Sequence, residues 1–180
     1  GRRYQSVRNM NYGDYLDLDK ILDSQKTLTS DRNELMFIVA HQASELWFKV
    51  LIYELSIKTN PDLKRIAKIF IHLNTLWDII ATLTPQDYEK FRSTLGSASG
   101  KQSEQYIEVE RLLKELPSNC CPNTGLFPRE ALCDVENAFK KWQFSHMKTV
   151  ERIIGDKPGT GGTTGVKYLK RAVDKDLWNK

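Results

Sequence analysis

Apolar residues recur at three- and four-residue intervals along most of the chain, and alternating β-branched runs are missing. The pattern predicts helices and no sheet. Tyr15, Leu18, Ile21 and Leu22 repeat at helical spacing and predict a short N-terminal helix. Asp31 with Glu34 three residues later resembles a capping arrangement, opening a long helix from about Asn33 to Ile57. The segment KTNPD breaks that helix, and Pro61 suits the first turn of another running to about Thr82. Thr84-Pro85 reads as an N-cap followed by a first-position proline, with Asp87 favourable in the same turn. That helix should end near Leu95, where GSASG supplies turn material. A further helix is expected from about Gln102 to Glu115, followed by the loop LPSNCCPNTGLFP. Pro128 then opens a long helix to Ile154, stopped by Gly155. DKPGTGGTTG is a glycine-rich loop, and a last short helix covers about Val166 to Val173. The expected fold is all-α, a single domain over residues 1–180 without internal repeats.

Composition narrows the class. With 40% hydrophobic and 28% charged residues, the chain can bury a real core. No uninterrupted run approaches the ~20 apolar residues that span a bilayer, and GRRYQSVRNMNYGDY has no apolar signal core. A cytoplasmic location without membrane contact is therefore expected. The net charge of +4 is mild, and Lys64, Arg65, Lys68, Lys140 and Lys141 are scattered along helices as a solvated face. Nucleic-acid binding would need a concentrated basic stripe, so none is expected. Cys120, Cys121 and Cys133 read as reduced thiols, since adjacent cysteines are poorly spaced for zinc. There is no Cys-x-x-Cys-His, so any haem is not attached through that motif.

The candidate chemistry lies on two helices far apart in sequence. Phe37, His41, Ser44 and Phe48 share one helical stripe, in which Ser44 leaves a notch one turn beyond the imidazole. Phe139, Trp142, His146, Val150 and Ile153 form a second apolar stripe. A histidine in such a stripe suits a proximal haem ligand, because neutral imidazole binds iron through one nitrogen while apolar walls shield the macrocycle. Its second nitrogen wants a partner, and Trp142, one turn earlier, could pack on the ring or help order that support. Each histidine taken alone reads equally well as a core residue bonded to a carbonyl. GTGGTTG follows a helix C-terminus and lacks the Lys-Ser/Thr of a phosphate loop. It reads better as a lid whose N–H groups and Thr hydroxyls order over a small polar ligand. Tyr88 and Arg92 stand at i and i+4, placing an aromatic ring beside a guanidinium fork that matches a carboxylate.

Four segments in order resemble the tryptophan 2,3-dioxygenase family: YGDYLDLDKILDSQ, ELMFIVAHQASELWFK, LTPQDYEKFRSTLGSASG and WQFSHMKTVERIIGDKPGTGGTTGVKYL. The resemblance implies an all-α homotetramer carrying haem b (iron protoporphyrin IX). Such an enzyme inserts both atoms of O2 across the indole C2–C3 bond of L-tryptophan, giving N-formylkynurenine. By position, His146 would be the proximal iron ligand and His41 the distal histidine that contacts the indole N–H. Arg92 would grip the substrate carboxylate, Thr160 would engage the amino-acid head group, and Phe37 and Tyr88 would wall the indole. Tyr12, Tyr15 and Leu16, within an N-terminal segment of about residues 1–25, would reach a neighbouring subunit's pocket.

The chain also departs from that pattern. Between the GSASG turn and the His146 helix, family members carry a longer helical insert, which SNCCPNTGLFP replaces here, and the join near SIKTNPDL is also shortened. Lys101 stands where the family has phenylalanine, and Ile107 where it has arginine. Those two residues keep open a haem monooxygenase acting on a substituted tryptophan or other aromatic amino acid. The short middle keeps open a non-catalytic haem-binding helical protein.

Overall fold

The computed structural model describes residues 10–57, 59–119 and 128–178. Every regular element among them is helical: α1 Tyr12–Leu16, α2 Leu18–Leu22, α3 Arg32–Leu55, α4 Leu63–Ile80, α5 Pro85–Arg92, α6 Glu104–Asn119, α7 Arg129–Ile154 and α8 Val166–Asp174. The expected all-α class is borne out.

The bundle is organised around α4 and α7, which share the largest interface, with α3 laid against α4 and α6, and α8 against α7. Ile66, Phe70 and Leu73 of α4 are fully buried, as are Val135 of α7 and Val109 and Leu113 of α6. Aromatic rings stitch α4 to α7 along its length. The Phe70 and Phe139 centroids lie 5.2 Å apart, Trp77 and Trp142 5.9 Å, and Trp77 and His146 4.4 Å. Ring pairs at such spacings add to the area they bury.

Local chemistry sets the ends. The α5 start is a full capping box: Asp87 N–H donates to Thr84 Oγ1 (3.1 Å), and Thr84 N–H to Asp87 Oδ2 (3.3 Å). At α3, Asp31 caps the Asn33 N–H at 2.8 Å, but Glu34 does not close a box. Its buried carboxylate instead accepts from the Leu28 and Thr29 N–H groups and the Thr29 hydroxyl, strapping the preceding loop to the helix. Pro61 precedes α4, whose cap is Asp62. The N-terminal helix is two short helices, because Asp17 takes a left-handed conformation (φ 52°), which short polar side chains tolerate. A separate 3-10 turn, Gly100–Gln102, precedes α6, which runs one turn beyond Glu115 because Leu116 is buried in the core. Cys120 and Cys121 fall outside the described residues, whereas Cys133 is exposed and free.

Helix α3 has two unlike faces. By length and mean hydropathy it could cross a bilayer, although it contains no uninterrupted apolar run. Its inward stripe carries Phe37, His41 and Phe48, while Leu35, Val39, Leu46, Val50 and Tyr53 form an exposed stripe on its other face. No helix of this chain covers that second stripe among the described residues.

Leu73 lies at the centre of the α4–α7 interface with no exposed surface. Leu73→Ala should lower unfolding stability by about 2–5 kcal/mol, read as a shift of the urea midpoint.

Candidate functional site

His41 faces inward from the third turn of α3, and its Nδ1 lies 2.8 Å from the Phe37 carbonyl. A carbonyl only accepts, so Nδ1 carries the proton, and the neutral ring keeps Nε2 as a free acceptor. Burial pushes the His41 pKa below its ordinary value, more strongly than the Phe37 carbonyl and Glu45 raise it. Around this ring, Phe37 lies 4.2 Å away between centroids, and Phe37 in turn packs on Tyr88 (5.9 Å) and Phe91 (5.4 Å). Phe91 is fully buried and Tyr88 nearly so, which holds this wall rigid.

His146 enters from α7 against the face of Trp77. The Trp77 indole stacks on it with planes 7° apart and stands edge-on to His41 at 6.3 Å. Trp77 is therefore the side chain that joins the two imidazoles. Among the described residues the His146 ring makes no hydrogen bond, and burial, with the neighbouring His41 second, lowers its pKa to about 4. It is a neutral imidazole with a free lone pair. Trp142 packs 6.0 Å from it, but its buried indole N–H finds no partner, so Trp142 supports the ring by packing and does not order it by a hydrogen bond.

The third component is the loop after α7. Gly155, with φ 58°, ends the helix, and the loop folds across the end of α5 and the following turn. Thr160 Oγ1 donates to the Ala98 carbonyl at 2.5 Å, and Arg92 Nη2 donates to the Pro158 carbonyl at 2.7 Å. Gly161 sits so near Ser99 that a Cβ there would come within 2.5 Å of the serine Cβ, which explains a glycine at the contact. Arg92 and Thr160 thus meet at one loop, and Tyr88, one turn before Arg92, connects them to the Phe37–His41 wall.

The structure brings Phe37, His41, Tyr88, Arg92, Trp142, His146 and Thr160 into one connected region. It does not bring Tyr12, Tyr15 and Leu16 there. Tyr12 and Tyr15 are exposed, and α1 packs on α2 alone among the helices. The segment is nevertheless tethered beside the site, because Gln25 Nε2 donates to Gln42 Oε1 at 2.6 Å, one residue from His41. Trp77 and Phe91 were missed in sequence, since their helical spacing is that of ordinary core residues. Lys101 lies over the Tyr168 ring at 5.9 Å, and Ile107 is exposed.

No group of three or more His, Cys, Asp or Glu able to hold a bare metal ion occurs among the described residues. One neutral imidazole is a fitting donor set only for a metal that brings its other ligands, as iron in a porphyrin does. The His146 ring, without a hydrogen bond among the described residues and packed against Trp77 and Trp142, fits that requirement.

Comparisons with known proteins cover nearly the whole chain. The family model described as tryptophan 2,3-dioxygenase matches residues 1–123 and 128–179. The tryptophan 2,3-dioxygenase of Bacillus anthracis is 36% identical over 255 aligned positions, covering 95% of this chain and 91% of the relative. That of Pseudomonas aeruginosa (strain UCBPP-PA14) is 34% identical, covering 94% and 86%, and that of Bradyrhizobium diazoefficiens 32%, covering 95% and 90%. The alignments are longer than this 180-residue chain, so each relative carries internal segments absent here.

His146 binds a proton more readily in the unfolded chain, near 6.5, than in the fold, at about 4. Acid therefore favours unfolding through this group, and stability should fall as pH drops from about 6.5 to 4. His146→Phe removes the group, so urea midpoints measured across that range should show a shallower slope. An unchanged slope would mean that the ring is not held neutral by the fold.

Proposed function

The chain belongs to the tryptophan 2,3-dioxygenase family, and from that membership we propose that it opens the indole C2–C3 bond of L-tryptophan with O2, giving N-formylkynurenine. Both oxygen atoms enter the product and no outside reductant is consumed. The observation that carries the reading is the pair of neutral imidazoles, His41 and His146, which both contact Trp77 in one aromatic region.

His146 would hold the iron of haem b, and the group supplies, when bound, the site at which dioxygen is activated. The remaining work falls to this chain's own residues. His41, with its proton fixed on Nδ1 by the Phe37 carbonyl, offers Nε2 as an acceptor for an indole N–H. Phe37, Tyr88 and Phe91 supply flat apolar surface for the ring and exclude water. Arg92, at the end of α5, meets the carboxylate, and the Thr160 loop closes over the amino-acid end. Holding the substrate at both ends replaces a diffusional encounter with a fixed orientation.

A homo-oligomer, proposed as a tetramer, accounts for two exposed apolar features. One is the outer stripe of α3, and the other is Tyr12 and Tyr15, whose helix has no partner beyond α2 among the described residues. A neighbouring copy would cover the first, and the second would complete that copy's pocket.

His146→Ala should abolish or greatly weaken the Soret band of the purified protein, and stoichiometric haem in that variant would defeat the ligand assignment. Arg92→Ala should raise KM for tryptophan and cut kcat/KM at least about tenfold, matching a charged hydrogen bond of ~1.5–3 kcal/mol. Turnover of reduced protein with L-tryptophan in air, followed by product mass, tests the reaction. Addition of two oxygen atoms supports it, addition of one would show the monooxygenase, and no product would leave a haem-binding protein without catalysis.

A further inference from the structure

Arg92 has a competitor for its guanidinium on its own helix. Glu89 lies three residues earlier, and Arg92 Nη1 donates to its Oε1 at 3.2 Å. An acid one turn before an arginine ordinarily pairs with it, and a neutralised guanidinium is a poor receptor for a second carboxylate. In this fold the acid is shared between two cations. Lys157 Nζ reaches the same Glu89 oxygen at 2.6 Å, closer than Arg92 does. Lys157 stands in the loop that carries Pro158 and Thr160, whose own contacts run to Arg92 and Ala98.

The lysine's position is set by the backbone. Its N–H donates to the Ile154 carbonyl just beyond α7. Its own carbonyl lies where a Cβ on Gly165 would come within 2.7 Å, so the returning chain passes close by at a glycine with φ 60°. The loop therefore delivers a cation to Glu89 in the same arrangement that lays Pro158 on Arg92.

We propose that Lys157 is a positioning residue that shares Glu89 with Arg92, so that with the loop in place the cluster keeps one uncompensated positive charge for the substrate carboxylate. The inference rests on the reading of Arg92 as the carboxylate partner. Arg92, Glu89 and Lys157 together carry one net positive charge, the complement of one carboxylate. Without Lys157, Arg92 and Glu89 form a neutral pair. Loop placement and carboxylate binding then favour each other: the loop brings the cation that offsets Glu89, and a carboxylate on Arg92 leaves Glu89 to Lys157. Lys157 and Glu89 are about half exposed, whereas Arg92 is largely covered, so the effect is moderate and screened by salt.

The test titrates haem-loaded protein with L-tryptophan at low salt, reading Kd from the Soret perturbation. Lys157→Gln should raise Kd about fivefold, and adding Glu89→Gln to it should return Kd to within about twofold of the parent. Lys157→Arg, which keeps the charge, should bind as the parent does. Rescue by deleting the acid is the distinguishing result, since a lysine that merely tied down the loop would leave the double variant as weak as the single. An unchanged Kd in Lys157→Gln, or no recovery in the double variant, would overturn the proposal. Failure of the Arg92 assignment shows separately, because Arg92→Ala would then leave tryptophan binding intact.

Discussion

Helix α7 can present an imidazole with no hydrogen-bond partner only because α4 covers it with a flat ring. Trp77 lies parallel to His146 at 4.4 Å, and the same indole stands edge-on to His41. Burial then makes protonation costly, and both histidines are held neutral with a nitrogen lone pair to offer. If α4 drifted from α7, water would reach the rings and the pair would become two ordinary titrating histidines. The aromatic contacts that secure this interface, from Phe70–Phe139 through Trp77–Trp142, are thus also what gives the site its chemistry.

A second dependence runs along the chain. The last turn of α7 passes through Gly155 directly into the loop that meets Arg92 and Ala98. The helix that offers His146 and the segment that would enclose an amino-acid head group are therefore one continuous piece. Helix α3 works in the opposite sense, with two unlike faces. One supplies His41 and Phe37 to the interior, and the other leaves an apolar stripe that this chain does not cover. The wall around His41 and the uncovered apolar stripe are consequently set by the same helix.

Much of this was legible in the residues. Thr84-Pro85 with Asp87 announced the start of α5, because a cap is a contact between residues three apart and needs no tertiary partner; that Asp87 closes a full box is seen only in the structure. Gly155 marked the end of α7 for a similar reason. Where a boundary depended on packing, sequence was less exact: α6 runs past Glu115 because Leu116 is buried, and Glu34 serves a preceding loop instead of closing a box. Trp77 was hidden because a tryptophan on an apolar helical stripe reads as core. Whether it faces an aliphatic neighbour or an imidazole is decided by the partner helix. Glu89 and Arg92 could be paired from their spacing, but Lys157 lies 68 residues from Glu89 and no local rule connects them.

By itself, then, the order of residues determined the helices, the stripe on which each histidine sits, and the family to which the segments belong. Periodicity and capping act between near neighbours, and the composition of a motif survives without a fold. Tertiary structure decided the rest: that His41 and His146 meet across one indole, that His41 carries its proton on Nδ1, and that Arg92 shares Glu89 with a lysine from the loop. Those are contacts between distant parts of the chain, and they come into being only when packing brings the helices together.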